Sequence, residues 1–230
     1  MTITTTTLTR TAGIAAATAG AIFIAVQINH PPMGTFVTDT NEWVLRCAGK
    51  SVMCALALAG ITGMYLHQVR QIRVLGFVGY LLFAAGYLGM LVTVTMAAVF
   101  LPALTHTAPQ FVNDVVAANE GGTVVGSIGH LQVLFNITGA CYMVGGLVFG
   151  IALFRAGVLA RWAAALLAVS TIATATLAVL PESFNRPMAV PEGLAMLGLG
   201  ISLWRTQRNA VTAAVAEPVT AATAETVTVR

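Results

Sequence analysis

Charge is scarce in this chain: aspartate, glutamate, lysine and arginine make up only 8% of its 230 residues. A soluble domain carries about 25%, and no water-facing surface can be assembled from so few. The formal charge of +3 is no footprint for nucleic acid, because the basic residues fall singly between apolar segments. Cysteine is scarce too. Cys47, Cys54 and Cys141 form no CxxC, and their odd number in or beside apolar stretches argues against a disulfide framework or a thiol-redox site. They read as small buried residues.

Catalytic signatures are missing as well. The sequence has no HExxH, no second histidine at metal-ligand spacing, no GxSxG, no Walker loop and no DDxxD-type acidic run. These gaps leave metal hydrolysis, nucleophilic serine chemistry and magnesium-dependent diphosphate ionisation without support. No haem or quinone ligand pattern is visible either, and no cofactor or metal is expected.

What is abundant is apolar length. Hydrophobic residues make up 57% of the chain, and the mean hydropathy is +0.86. This composition predicts an all-α, polytopic membrane protein whose first partner is the lipid bilayer. Six apolar stretches can be marked, at about 11–29, 49–68, 74–101, 130–154, 160–180 and 188–204. If they alternate, Arg10, Arg70, Arg73, Arg155, Arg161, Arg205 and Arg208 share one side, while Arg46, Lys50 and Arg186 fall on the other. The positive-inside rule then places both termini in the cytoplasm of a plasma-membrane protein. The acids Asp39, Glu42, Asp114, Glu120, Glu182 and Glu192 are all outward, with His30, His106 and His130. The first stretch reads as an uncleaved helix. Residues 1–9 and 206–230, rich in Thr, Ala and Val, read as a mobile tail and a disordered cytoplasmic tail flanking a 10–205 six-helix domain. Within the long outer segment 102–129, "PQFVNDVVAAN" is expected to form a short helix over the bundle mouth.

In the fourth stretch, Gly129, Gln132, Asn136, Gly139, Met143, Gly146 and Gly150 recur at three- and four-residue intervals and so share a helical face. Gly146 and Gly150 form a small-xxx-small pair that predicts close helix packing. The expectation that follows is that Gln132 and Asn136 point into the bundle.

Glu192 is the conspicuous residue. It lies thirteen positions before Arg205, about 20 Å along a helix and still inside a hydrocarbon layer roughly 30 Å thick. An intramembrane ionisable group is a functional candidate by default, with a partner to be named. Glu42, Arg46 and Lys50, spaced by four, supply candidate partners. One reading is a structural ion pair of Glu192 with Lys50 or Arg46. The other is chemical: a carboxyl in an apolar site has its charged form disfavoured and can act as a general acid. On this reading Glu192 gives the proton, Glu42 with Arg46 or Lys50 sets its protonation, and His130 or His30 removes the last proton. Gln132, Asn136, Trp43 and Phe135 would then help bind a hydrophobic small molecule. The rings of Trp43, Tyr80, Tyr87, Phe135 and Tyr142 could steady a developing cation. All of these are expected to converge on one outer cavity lidded by 102–129.

The strings "INHPP", "GITGMYLHQVRQ", "GLVFGIALFRAGVLARWAAALLAV" and "LPE" give the chain, over about residues 10–205, a likeness to small six-helix actinobacterial integral membrane proteins. In size and layout it also resembles the membrane-bound terpene cyclases of indole-sesquiterpene and meroterpenoid pathways. That resemblance implies metal-independent, proton-initiated cyclisation of an isoprenoid, with Glu42 and Glu192 at the positions of the family's early and late acids. The open alternatives are a small transporter, in which Glu192 and Lys50 bind or relay a solute or proton, and a non-catalytic membrane subunit. The inner half of the spans carries no polar residues beyond scattered Thr and Ser, which favours a pocket closed on one side over alternating access.

Overall fold

The computed structural model of the chain describes residues 4–28, 35–119, 121–178 and 187–227. It is built of helices, with no strand among the described residues. In chain order these are α1 (Thr5–Ala25), α2 (Asn41–His67), α3 (Val69–Leu104), α4 (Pro109–Asn119), α5 (Leu131–Ala156), α6 (Arg161–Ala173) and α7 (Ala189–Val227). Short 3-10 turns, Thr35–Asp39 and Thr174–Ala178, precede α2 and follow α6. His30, Glu120, Glu182 and Arg186 lie outside the described residues.

Capping explains two boundaries that hydropathy misplaces. Thr4 accepts a hydrogen bond from the Thr7 N–H (3.2 Å), so α1 starts well before position 11. Thr40 does the same for the Trp43 N–H (3.2 Å), and α2 begins at Asn41 instead of 49. Its 27 residues extend about 40 Å, so Glu42, Arg46 and Lys50 ride on a helix longer than the hydrocarbon is thick. At the other extreme the α-helical part of α6 stops at Ala173, short of the expected 180. The α7 backbone continues past 205 to Val227.

The helices close into a ring: α1 packs on α2, α2 on α3, α3 on α5, α5 on α6, α6 on α7, and α7 back on α1. Neighbours run antiparallel, as their contacts show. Gly13 meets Gly200 and Trp204 while Gly20 meets Gly193 and Leu197; Gly79 meets Phe149 while Gly86 meets Tyr142; and Gly146 meets Thr171 while Gly150 meets Ala164 and Ala168. The expected packing face of α5 is therefore real, and its partner is α6. Its polar end does not turn inward, however. Asn136 is exposed and Gly139 has nothing near it, because α6 is too short to cover α5 at that level.

Among the described residues, four helices (α1, α2, α3 and α5) are long and apolar enough to cross a membrane. The outward face of α3 carries Leu81, Leu88, Val92 and Val99, all exposed. An apolar surface of this length suits lipid and not water. The interior is one cluster drawn from all six ring helices, including Ala16, Cys54, Phe83, Tyr87, Tyr142, Phe149, Leu167, Met196 and Leu199.

A second, smaller cluster lies under α4, the helix expected over the mouth. It joins Val112, Val115 and Val116 of α4 to Trp43, Cys47 and Leu101. Thr38 and Thr105 share a buried 2.7 Å hydrogen bond beside it. Asp114 fastens the loop after α4: its carboxylate accepts from the Val125 N–H (3.1 Å), the Gly126 N–H (2.9 Å) and Gln110 Nε2 (3.1 Å). These donors, the Val125 amide foremost, hold the carboxyl below its ordinary value of 3.8. A carboxyl lowered by folding contributes its full stability above the unfolded value and loses it as pH falls through the folded one. The cap should therefore be intact at neutral pH and loosen below about pH 4. Hydrogen exchange at Val125 and Gly126 checks this. Asp114→Ala should lower the protection factors there at neutral pH to those the unaltered protein shows in acid, while unchanged protection would contradict the assignment.

Candidate functional site

Glu192 sits in the first turn of α7, just after Pro191, and is 1% exposed. Its direction is set from behind. A Cβ on Gly193 would stand 2.8 Å from the Gly20 carbonyl oxygen, so α1 and α7 touch backbone to backbone beside the acid. The carboxyl enters the ring interior. The Tyr87 hydroxyl of α3 donates to Oε1 over a long 3.3 Å. The hydroxyls of Tyr142 on α5 and Ser170 on α6 face the same carboxyl, yet Oε2 receives no bond of ordinary geometry.

Aromatic rings build the rest of the wall. Phe83 and Tyr87 meet edge-on with centroids 4.9 Å apart, Tyr87 and Tyr142 likewise at 5.7 Å, and Phe83 lies 5.6 Å from Tyr142. A cavity of about 190 Å³ leads from Glu192 between Phe23, Gln27, Met90, Tyr142, Thr174 and Met188. Buried acid, hydroxyl donors and apolar cavity thus share one place.

The other candidates among the described residues go elsewhere, and these do not share the single outer cavity expected for all of them. Arg46 pairs with Glu42 Oε1 (2.8 Å), and its Nη1 also donates to the carbonyls of Val26 (2.9 Å) and Ile28 (3.0 Å). It closes the end of α1, whose last carbonyls lack helical partners. Neither Arg46 nor Lys50 is paired with Glu192, so the ion-pair reading fails. Both stand on the first three turns of α2, which packs on α1 as α7 does, but their side chains turn to other partners.

Lys50, Trp43 and Phe135 line a separate cavity of about 50 Å³ under α4, where Trp43 Nε1 donates to the Ala97 carbonyl (3.0 Å). Gln132 donates to Asn136 (3.1 Å) on the outside of α5, and exposed His130 precedes that helix. His30 lies outside the described residues. Among the described residues, no group of three or more His, Cys, Asp or Glu side chains is placed to hold a metal ion.

Of the residues around Glu192, the sequence had named Tyr87 and Tyr142 only as possible cation-facing rings, and it had passed over Ser170. A signal for the tyrosines was present. Gly79 and Gly86 are seven apart, as are Tyr142 and Phe149, and each glycine receives the backbone of one of those aromatics. A seven-residue repeat on two neighbouring helices marks a shared seam. No family model, curated protein or solved structure matches this chain.

Proposed function

We propose that the chain is a six-span enzyme of the plasma membrane, with both termini cytoplasmic, that starts a non-redox cyclisation of a lipid-soluble isoprenoid by protonating it from Glu192. The observation that carries this reading is a wholly buried carboxyl with hydroxyl neighbours, an adjoining apolar cavity and, among the described residues, no cationic partner. Such an acid is most stable uncharged, and a neutral acid in an apolar cavity can give up a proton.

The orientation rests on where the charges gather. Arg10 and Arg208 flank Trp204 at one end of the bundle, while Asp39, Glu42 and Asp114 stand at the other. Excess arginine marks the cytoplasmic end, and α6 and α7 complete the span count.

The chemistry balances without an oxidant. The Glu192 O–H bond breaks as a C–H bond forms at one end of a double bond, leaving a cation at the other. The next double bond of the substrate attacks that cation and closes a ring. Loss of a proton from a neighbouring carbon back to the carboxylate restores the acid, and the product is an isomer of the substrate. The ring of Tyr142, which lines the cavity, stabilises the cation through its π face. The carboxylate formed in passing is held by the Tyr87 hydroxyl and by the positive end of α7. No role remains for His130, which is exposed. A cavity of about 190 Å³ lies below the usual range for ligand pockets, about 300–1,000 Å³. It takes the reacting end of the substrate and leaves the remainder in the bilayer.

The test is isotopic. Protein equilibrated in D₂O in lipid nanodiscs, in excess over linear polyprenyl alcohols so that each molecule turns over once, should yield a cyclic isomer carrying deuterium at the protonated carbon. A cyclic product free of deuterium would rule out an enzymic proton as the trigger.

A further inference from the structure

At the arginine-rich end of the bundle a cavity of about 340 Å³ opens between the start of α3 and the end of α5. It is lined by Gln71, Ile72, Arg73, Leu75, Ala152 and Arg155, and its wall is more polar than apolar. Both arginines are exposed. Among the described residues neither makes a hydrogen bond or ion pair. The two ion pairs there, Arg46–Glu42 and His106–Asp39, belong to the opposite end.

The backbone supplies a second observation. Arg73 has φ 49° and ψ −147°, and it is the one non-glycine residue with positive φ among the described residues. That conformation is costly for a side chain and persists only where the surroundings impose it. Ile72 imposes it. It is buried and folded against Gly76, where an added Cβ would collide with its side chain. A glycine at 73 would adopt the same turn without strain, yet the position is arginine, aimed by the turn to the cavity that Arg155 shares.

Two like charges beside one cavity repel each other, and an anion between them removes the repulsion. Guanidinium groups match phosphate oxygens in paired hydrogen bonds. Basic pockets between helices at a membrane surface are where phosphate headgroups are held. We propose that Arg73 and Arg155 together bind a phosphate group, carried either by an anionic lipid headgroup or by a soluble phosphate, with the Gln71 amide as a further donor. The site is independent of Glu192 and of the chemistry assigned to it.

Melting temperatures of the full chain test this, measured in nanodiscs of phosphatidylcholine with and without phosphatidylglycerol. A parallel series compares inorganic phosphate with chloride at equal ionic strength. Phosphatidylglycerol should raise the melting temperature by several degrees, and Arg155→Gln and Arg73→Gly should each remove most of that rise. Glycine preserves the turn at 73, so a lost response there reports the side chain and not a broken backbone. A rise produced by inorganic phosphate as well identifies a soluble ligand; a rise confined to the lipid identifies the headgroup. If the unaltered protein responds to neither probe, or both variants keep the full response, the proposal is overturned.

Discussion

Replacing Glu192 with glutamine is expected to abolish turnover while leaving the fold intact. Glutamine fills nearly the same volume and can still accept the Tyr87 hydrogen bond on its carbonyl oxygen. What it cannot do is release a proton. Positioned acids contribute about 10²–10⁴-fold to rate, and in the proposed reaction the proton is the trigger itself, so the loss should reach the upper end of that range. Stability should hold or rise slightly, because among the described residues no cation is paired with the acid that is removed. Had Glu192 been half of a buried ion pair, the same change would strand a charge at a cost of about 3–5 kcal/mol. Deuterium incorporation and melting temperature, read on one preparation, separate the outcomes. Activity that survives in Glu192→Gln would remove the acid from the mechanism. A collapsed melting temperature would point to an ionic role.

The largest structural effect is expected at Gly20. A Cβ there would meet the Gly193 carbonyl and stand 2.7 Å from the Leu197 backbone nitrogen. Both obstacles are backbone, so no side chain can swing aside. Gly20→Val should therefore force α1 from α7 and cost at least about 3 kcal/mol, the upper end of ordinary overpacking penalties. The displacement falls beside Glu192, so activity should go with stability. Gly139→Val is the control, since nothing lies within 4 Å of a Cβ at that position. It should change the melting temperature little. Equal effects of the two substitutions would mean that α1 and α7 are not in backbone contact.

Much of this was legible in the sequence, and the limits have a physical form. Apolar length gave the helical membrane class, and the amphipathic run at 109–119 gave α4 within its observed bounds. Gly146 and Gly150 gave a packed face. Depth along a helix follows from counting, which is why Glu192 stood out. Rotation about the helix does not follow from counting. Counting puts Lys50 and the deeper Glu192 both in the outer half of the spans, but the ring puts their side chains in different cavities. Helix ends were misjudged for a related reason: caps at Thr4 and Thr40 extend helices beyond the apolar stretch that hydropathy detects. Arg46 looked like a partner for an acid because charge is visible in a sequence. The open carbonyls of Val26 and Ile28 that also hold it are not.

The central claim is that Glu192 is a neutral acid with no cation beside it, and infrared difference spectroscopy reads this without any substrate. Spectra of the unaltered protein and of Glu192→Gln would be compared in nanodiscs, in a buffer just below neutrality, each with and without the added change Lys50→Met. The account predicts a carbonyl stretch of a protonated carboxylic acid that disappears with Glu192→Gln and is unmoved by Lys50→Met. A carboxylate band at Glu192 in its place, or an acid band that emerges only when Lys50 is removed, would contradict it.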